Sequence, residues 1–102
     1  MSGPDPGMAW RFRGAVARIE PAATRILAEH ATSYWRRGLS RRESDQRVVW
    51  TIDGETVLEF RFDPAGPSSL VVHDFSLFEP LRKAIRTRHV HLRFATARDS
   101  LT

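Results

Sequence analysis

Residues 47–62, R-V-V-W-T-I-D-G-E-T-V-L-E-F-R-F, alternate apolar and polar side chains with the period of two that marks a half-buried strand. The alternation is interrupted at Val49 and at Val57, and Asp53-Gly54 between the two apolar runs predicts a hairpin turn. Parity chooses between two turns. A two-residue Asp53-Gly54 turn in unbroken register pairs Trp50 with Val57 and Val48 with Glu59, which mixes apolar and charged residues on both faces. A three-residue loop, Ile52-Asp53-Gly54, pairs Trp50 with Thr56 and Val48 with Leu58. It gathers Val48, Trp50, Leu58, Phe60 and Phe62 on one face, lets Arg47 meet Glu59 on the other, and puts Gly54 where a left-handed residue is needed. The second turn is the one expected.

The same period predicts a strand over 9–19. Trp10 and Phe12 alternate there with Arg11 and Arg13, Gly14 marks a bulge, and Val16 and Ile19 resume the pattern. The spacing then becomes helical, with Ala23, Ile26, Leu27, His30, Ala31 and Tyr34 on one face. Pro21 suits the first turn of that helix, Arg36 and Arg37 its last turn, and Gly38 a left-handed cap with Leu39 folding back. Residues 38–46 form a polar connector whose Ser40-Arg41-Arg42-Glu43 suits a short capped turn.

Residues 63–69 are a loop by composition, and 70–75 a nearly continuous apolar strand. Ser76-Leu77-Phe78-Glu79 reads as a capping box opening a second helix. Leu77, Phe78, Leu81, Ala84 and Ile85 form its buried stripe, while Arg82, Lys83 and Arg86 face away. A last strand sets Val90, Leu92 and Phe94 against His89, His91 and Arg93. The order is β-α-β-β-β-α-β: an α+β domain with a single mostly antiparallel sheet of four to five strands and two helices on one face. Residues 1–8, without the basic region and apolar stretch of a signal peptide, read as a flexible tail, and 9–102 as one domain.

Composition agrees. The 102 residues are 41% hydrophobic and 27% charged, ordinary for one globular domain. The absence of cysteine excludes disulfides, thiolate metal sites and a cysteine nucleophile, and fits a cytoplasmic protein. No apolar run approaches the roughly 20 residues of a membrane span, so a membrane is not an expected partner.

Charge adds the functional question. Fifteen of the sixteen basic residues are arginine, the side chain whose planar fork suits phosphate and carboxylate; Lys83 is the exception. Net charge is +1 over residues 1–35, +3 over 36–47, −5 over 48–79 and +5 over 80–102. No acid stands between Pro80 and Arg98. Two candidate anion-binding patches follow. The first is Arg36, Arg37, Arg41, Arg42 and Arg47 beside Tyr34 and Trp35; its bland counterpart is a solvated helix end and loop. The second is Arg82, Lys83, Arg86, Arg88, His89, His91 and Arg93, where unmixed charge on a strand face costs self-repulsion.

Other candidates are weaker. His89 and His91 share a strand face at ligand spacing, but their arginine neighbours repel a cation, so neither a metal nor another cofactor is expected. His73 and Asp74 point to opposite faces, which makes Asp74 a helix cap rather than half of a catalytic pair. His30, on an apolar face, reads as a hydrogen-bonded core histidine. No glycine-rich phosphate loop or nucleophile elbow is present.

In element order alone, the middle of the chain, α-β-β-β-α, resembles double-stranded-RNA-binding domains over about two-thirds of its length. The basic cluster that such domains carry at the start of the second helix is missing, since Ser76 to Glu79 is not basic. The leading expectation is a non-enzymatic domain that binds an anionic macromolecule, nucleic acid first, through its C-terminal arginines. The alternative is a protein-interaction module or homodimer that joins acidic hairpin to basic C-terminal segment. A histidine- or metal-dependent hydrolase or nuclease comes third.

Overall fold

The computed structural model describes residues 6–32, 38–85 and 90–100. A long helix, α1 (Pro6–Thr32), is followed by strands β1 (Leu39–Ser44), β2 (Arg47–Ile52), β3 (Glu55–Arg61) and β4 (Ser68–Val72). A 3₁₀ turn (Phe75–Leu77) then leads into α2 (Phe78–Ala84), β5 (Val90–Phe94) and a terminal helical turn, α3 (Ala97–Ser100). The sheet runs β1-β2-β3-β4-β5 in space. Its first four strands are antiparallel, and β5 joins β4 in parallel across α2. The chain is thus α+β, a single mixed sheet with helices.

Three expectations change. The strand expected over 9–19 is the first half of α1. Phe12, Val16, Ile19, Ala23, Ile26, Leu27 and Ala31 are all buried and recur every three or four residues, a stripe that continues through Pro21. Pro21 therefore lies inside a helix rather than at its start, and residues 6–8, expected in the tail, belong to that helix. The polar connector is β1. Its exposed positions lie on the edge of the sheet, where charge rather than apolar alternation blunts pairing with other chains.

The hairpin turn is the third. It is the two-residue Asp53-Gly54 turn with both residues at positive φ, 54° and 82°, and the parity problem is solved by a bulge. The register shifts between Trp50 and Thr51, so Trp50 pairs with Leu58 and Val48 with Phe60, while Thr51 pairs with Thr56. Val48, Trp50, Leu58 and Phe60 share a face as expected, by an extra residue in β3 rather than in the loop. With β1 added, four strands rather than three separate α1 from α2, which departs from the α-β-β-β-α order.

The inner face of the sheet carries Val48, Trp50, Ile52, Leu58, Phe60, Leu70 and Val72. These are buried in one cluster with the α1 stripe and with Leu77 and Leu81 from the second helical segment. Asp74 caps that segment as expected. Its carboxylate accepts from Ser76 N (3.0 Å) and from the Ser76 hydroxyl (2.7 Å). Ser76, expected as the cap, is the donor. His30 Nε2 lies 3.0 Å from Asp74 Oδ2, which ties α1 to the cap.

Candidate functional site

Among the described residues, α1 and α2 pack on the inner face of the sheet and leave the outer face without a long helix. Cross-strand pairing aligns Arg42, Val49, Glu59, Val71 and Arg93 in one row from edge to edge. Glu59, on the middle strand, is only 3% exposed. It accepts from Arg47, its expected partner, and from Arg61 Nε (3.0 Å) and Nη2 (3.1 Å). Burial pushes the Glu59 carboxyl up, but the hydrogen bonds and charges of Arg61 and Arg47 more than offset this and hold it below its ordinary value. His73 Nε2, 3.6 Å from Glu59 Oε1, is buried with no hydrogen-bond partner among the described residues.

A second carboxylate closes the network. Asp99 in α3 is 8% exposed. It receives Arg93 Nη1 (2.9 Å) and Nη2 (3.2 Å), Thr96 N (2.7 Å) and Thr96 Oγ1 (2.9 Å), with Arg61 Nη1 at 2.8 Å. The Arg93 guanidinium first, and then the Thr96 amide, hold its carboxyl far below the usual carboxylate range. The arrangement folds the C-terminal turn back over the sheet and neutralises Arg61 and Arg93 together.

The sequence-predicted cations are thus divided. Arg36, Arg37, Arg86, Arg88 and His89, with Tyr34 and Trp35, lie outside the described residues. Arg82 belongs to the helix layer, where it pairs with Glu79 (2.9 Å). Lys83 is beside it on α2, exposed. His91 and Arg93 are on the opposite, outer face, so the sheet stands between the two halves of the C-terminal patch. Arg41 and Arg42 are adjacent strand residues and diverge. Arg41 turns inward to Glu20 of α1 and to Glu43 (3.2 Å), while Arg42 stays on the outer face at the β1 edge.

The pattern of residues 9–19 as a strand hid a different basic surface. Arg11, Arg18 and Arg25 stand seven residues apart on α1, hence on one side of it, roughly 10 Å between neighbours. No acidic residue occurs between Pro6 and Ile19. Arg11 Nη2 donates to Pro64 O (2.7 Å), and its guanidinium lies 6.0 Å from the centre of the Phe62 ring. Arg18 and Arg25 carry no ion pair with a described residue. A groove of about 570 Å³ runs between this side of α1, the β3–β4 loop and the start of β5. Trp10, 78% exposed, stands on its wall. The signal was the seven-residue arginine recurrence, readable only once 9–32 is taken as a single helix.

Two further features complete the surface. Phe94 stacks on Phe78 at 4.2 Å and on Phe75 at 5.3 Å, with Phe75 79% exposed. Among the described residues no three histidine or acidic side chains converge as a metal ion would require, and no helix is long and apolar enough to cross a membrane. Comparison with protein-family models, with curated proteins and with solved structures returns no match.

Proposed function

We propose that this domain binds an anionic macromolecule, nucleic acid first, and does so chiefly through the arginine side of α1. One observation carries the reading. Among the described residues, five arginines (Arg41, Arg47, Arg61, Arg82 and Arg93) meet carboxylates, whereas Arg11, Arg18 and Arg25, like Arg13, Arg42 and Arg98, do not, and Arg11, Arg18 and Arg25 form a regular row along α1. Unneutralised like charge on one surface repels itself, and a polyanion relieves that repulsion.

A second reading, a protein-interaction module, is favoured by the exposed Phe75–Phe94 stack beside half-buried Phe78, because contiguous exposed aromatic surface marks interfaces. Part of the charge that it would join between copies is already paired within one chain, where Glu59 and Asp99 meet Arg47, Arg61 and Arg93.

One titration separates the readings: particle mass and anisotropy with labelled DNA and RNA, repeated across salt. Three phosphate contacts predict a log–log salt slope near −2.7 on duplex DNA, with each of Arg18→Ala and Arg25→Ala reducing it by about 0.9. A mass above that of one chain without nucleic acid, together with no binding at low salt, would favour the interaction module and refute the polyanion reading.

A further inference from the structure

The groove beside the arginine row is built from unlike walls. Helix α1 contributes Trp10, Arg11 and Arg18; the β3–β4 loop contributes Phe62 and Pro67, and β5 contributes Val90. Its volume is about 570 Å³. Between Trp10 and Arg18 the helix carries Gly14, where an added Cβ would meet nothing within 4 Å, so the floor is open. The Arg11 guanidinium is already oriented by Pro64 O and the Phe62 ring, and therefore loses little freedom on meeting a phosphate. Asp63, the acid in this wall, is turned toward its own loop, where Oδ1 accepts from Ala65 N (2.8 Å).

A mostly exposed indole beside two guanidinium groups has a specific chemical complement. Its ring can stack on any unpaired base, and guanidinium forks fit the flanking phosphates. A duplex keeps its base faces stacked inside and would engage only the arginines. Resting on the polyanion reading, we propose that this groove takes an unpaired nucleotide, its base against Trp10 and its phosphates at Arg11 and Arg18, so that the domain prefers single-stranded to duplex nucleic acid.

The test is anisotropy with three labelled probes of matched phosphate number: a short oligothymidine, an abasic strand of the same length, and an oligothymidine–oligoadenine duplex of half that length. Oligothymidine is expected to bind about tenfold more tightly than the abasic strand. Trp10→Ala removes most of that ratio, Trp10→Phe retains it, and Arg18→Ala weakens all three probes. Trp10 is exposed enough for its variants to fold, which circular dichroism would verify. Equal affinity for oligothymidine and abasic strand, or a ratio unmoved by Trp10→Ala, overturns the nucleotide groove and leaves the polyanion reading standing provided Arg18→Ala still weakens binding. If none of the probes binds, both proposals fall.

Discussion

Two glycines separate space from conformation as causes of stability. At both Gly14 and Gly54 an added Cβ would meet nothing within 4 Å. Gly14 lies within a helix, where glycine gives up backbone entropy, so Gly14→Ala is expected to raise stability by about 0.5–1 kcal/mol. Gly54 sits at φ +82° in the hairpin turn, so Gly54→Ala is expected to lower it by about 1 kcal/mol. Urea denaturation of both variants checks the pair; the same sign at both sites would contradict the helical placement of Gly14 or the turn at Gly54. Single residues were partly legible. Asp74 as a cap follows from local spacing; Arg47 and Glu59 do meet, but diagonally, because Glu59 lies opposite Val49 and not opposite Arg47 as the expected loop would have it. The Asp99 site does not follow from spacing, because Arg61 and Arg93 reach it from strands that sequence alone does not place beside it.

At the scale of elements, the error over 9–19 has a physical origin. Within residues 9–13 a period of two and a helical period both set Phe12 against Arg11 and Arg13. Only the continuation through Val16, Ile19, Ala23 and Ile26 separates them, and Pro21 reads as a boundary in the middle of that run. The helix tolerates Pro21 because the buried stripe on both sides of it holds the backbone in place. Proline in a helix interior removes one hydrogen bond and crowds the preceding turn. Pro21→Ala restores a donor toward Ala17, at the cost of a freer unfolded chain. Its expected effect is a gain of about 1–2 kcal/mol, read as a raised thermal midpoint. A loss would mean that the fold needs the break in α1. The bulge beside Trp50 is the matching lesson for the hairpin. The parity of the apolar positions requires one extra residue, and a bulge and a longer loop supply it equally well from sequence.

Across the whole molecule, stability should depend on acid. Glu59, Asp74 and Asp99 all have carboxyl groups depressed below their ordinary values of 4.5 for Glu and 3.8 for Asp. For Asp74, burial opposes the shift, and the Ser76 hydroxyl, the Ser76 amide and His30 outweigh it. A depressed carboxyl binds fewer protons in the folded chain than in the unfolded one. Its contribution is therefore complete above the unfolded value and is lost as pH falls below about 4.5 toward the folded values. The urea midpoint should fall through that acid range, and Glu59→Gln should make the fall shallower. A midpoint that stays level on acidification would show that the outer-face network contributes nothing to stability.

The sequence by itself determined the α+β class, most strand and helix positions, the shared apolar face of the hairpin and the excess of arginine. Each of these is carried by spacing between near neighbours, which the backbone periods of two and 3.6 convert directly into a face. Tertiary structure alone decided which arginines are neutralised and which face outward. That outcome depends on which strand lies beside which, and on the last turn folding back to bring Asp99 between Arg61 and Arg93. Contacts between residues far apart in the chain have no period to read. The basic surface therefore emerged on α1, in the segment whose local alternation suggested a strand.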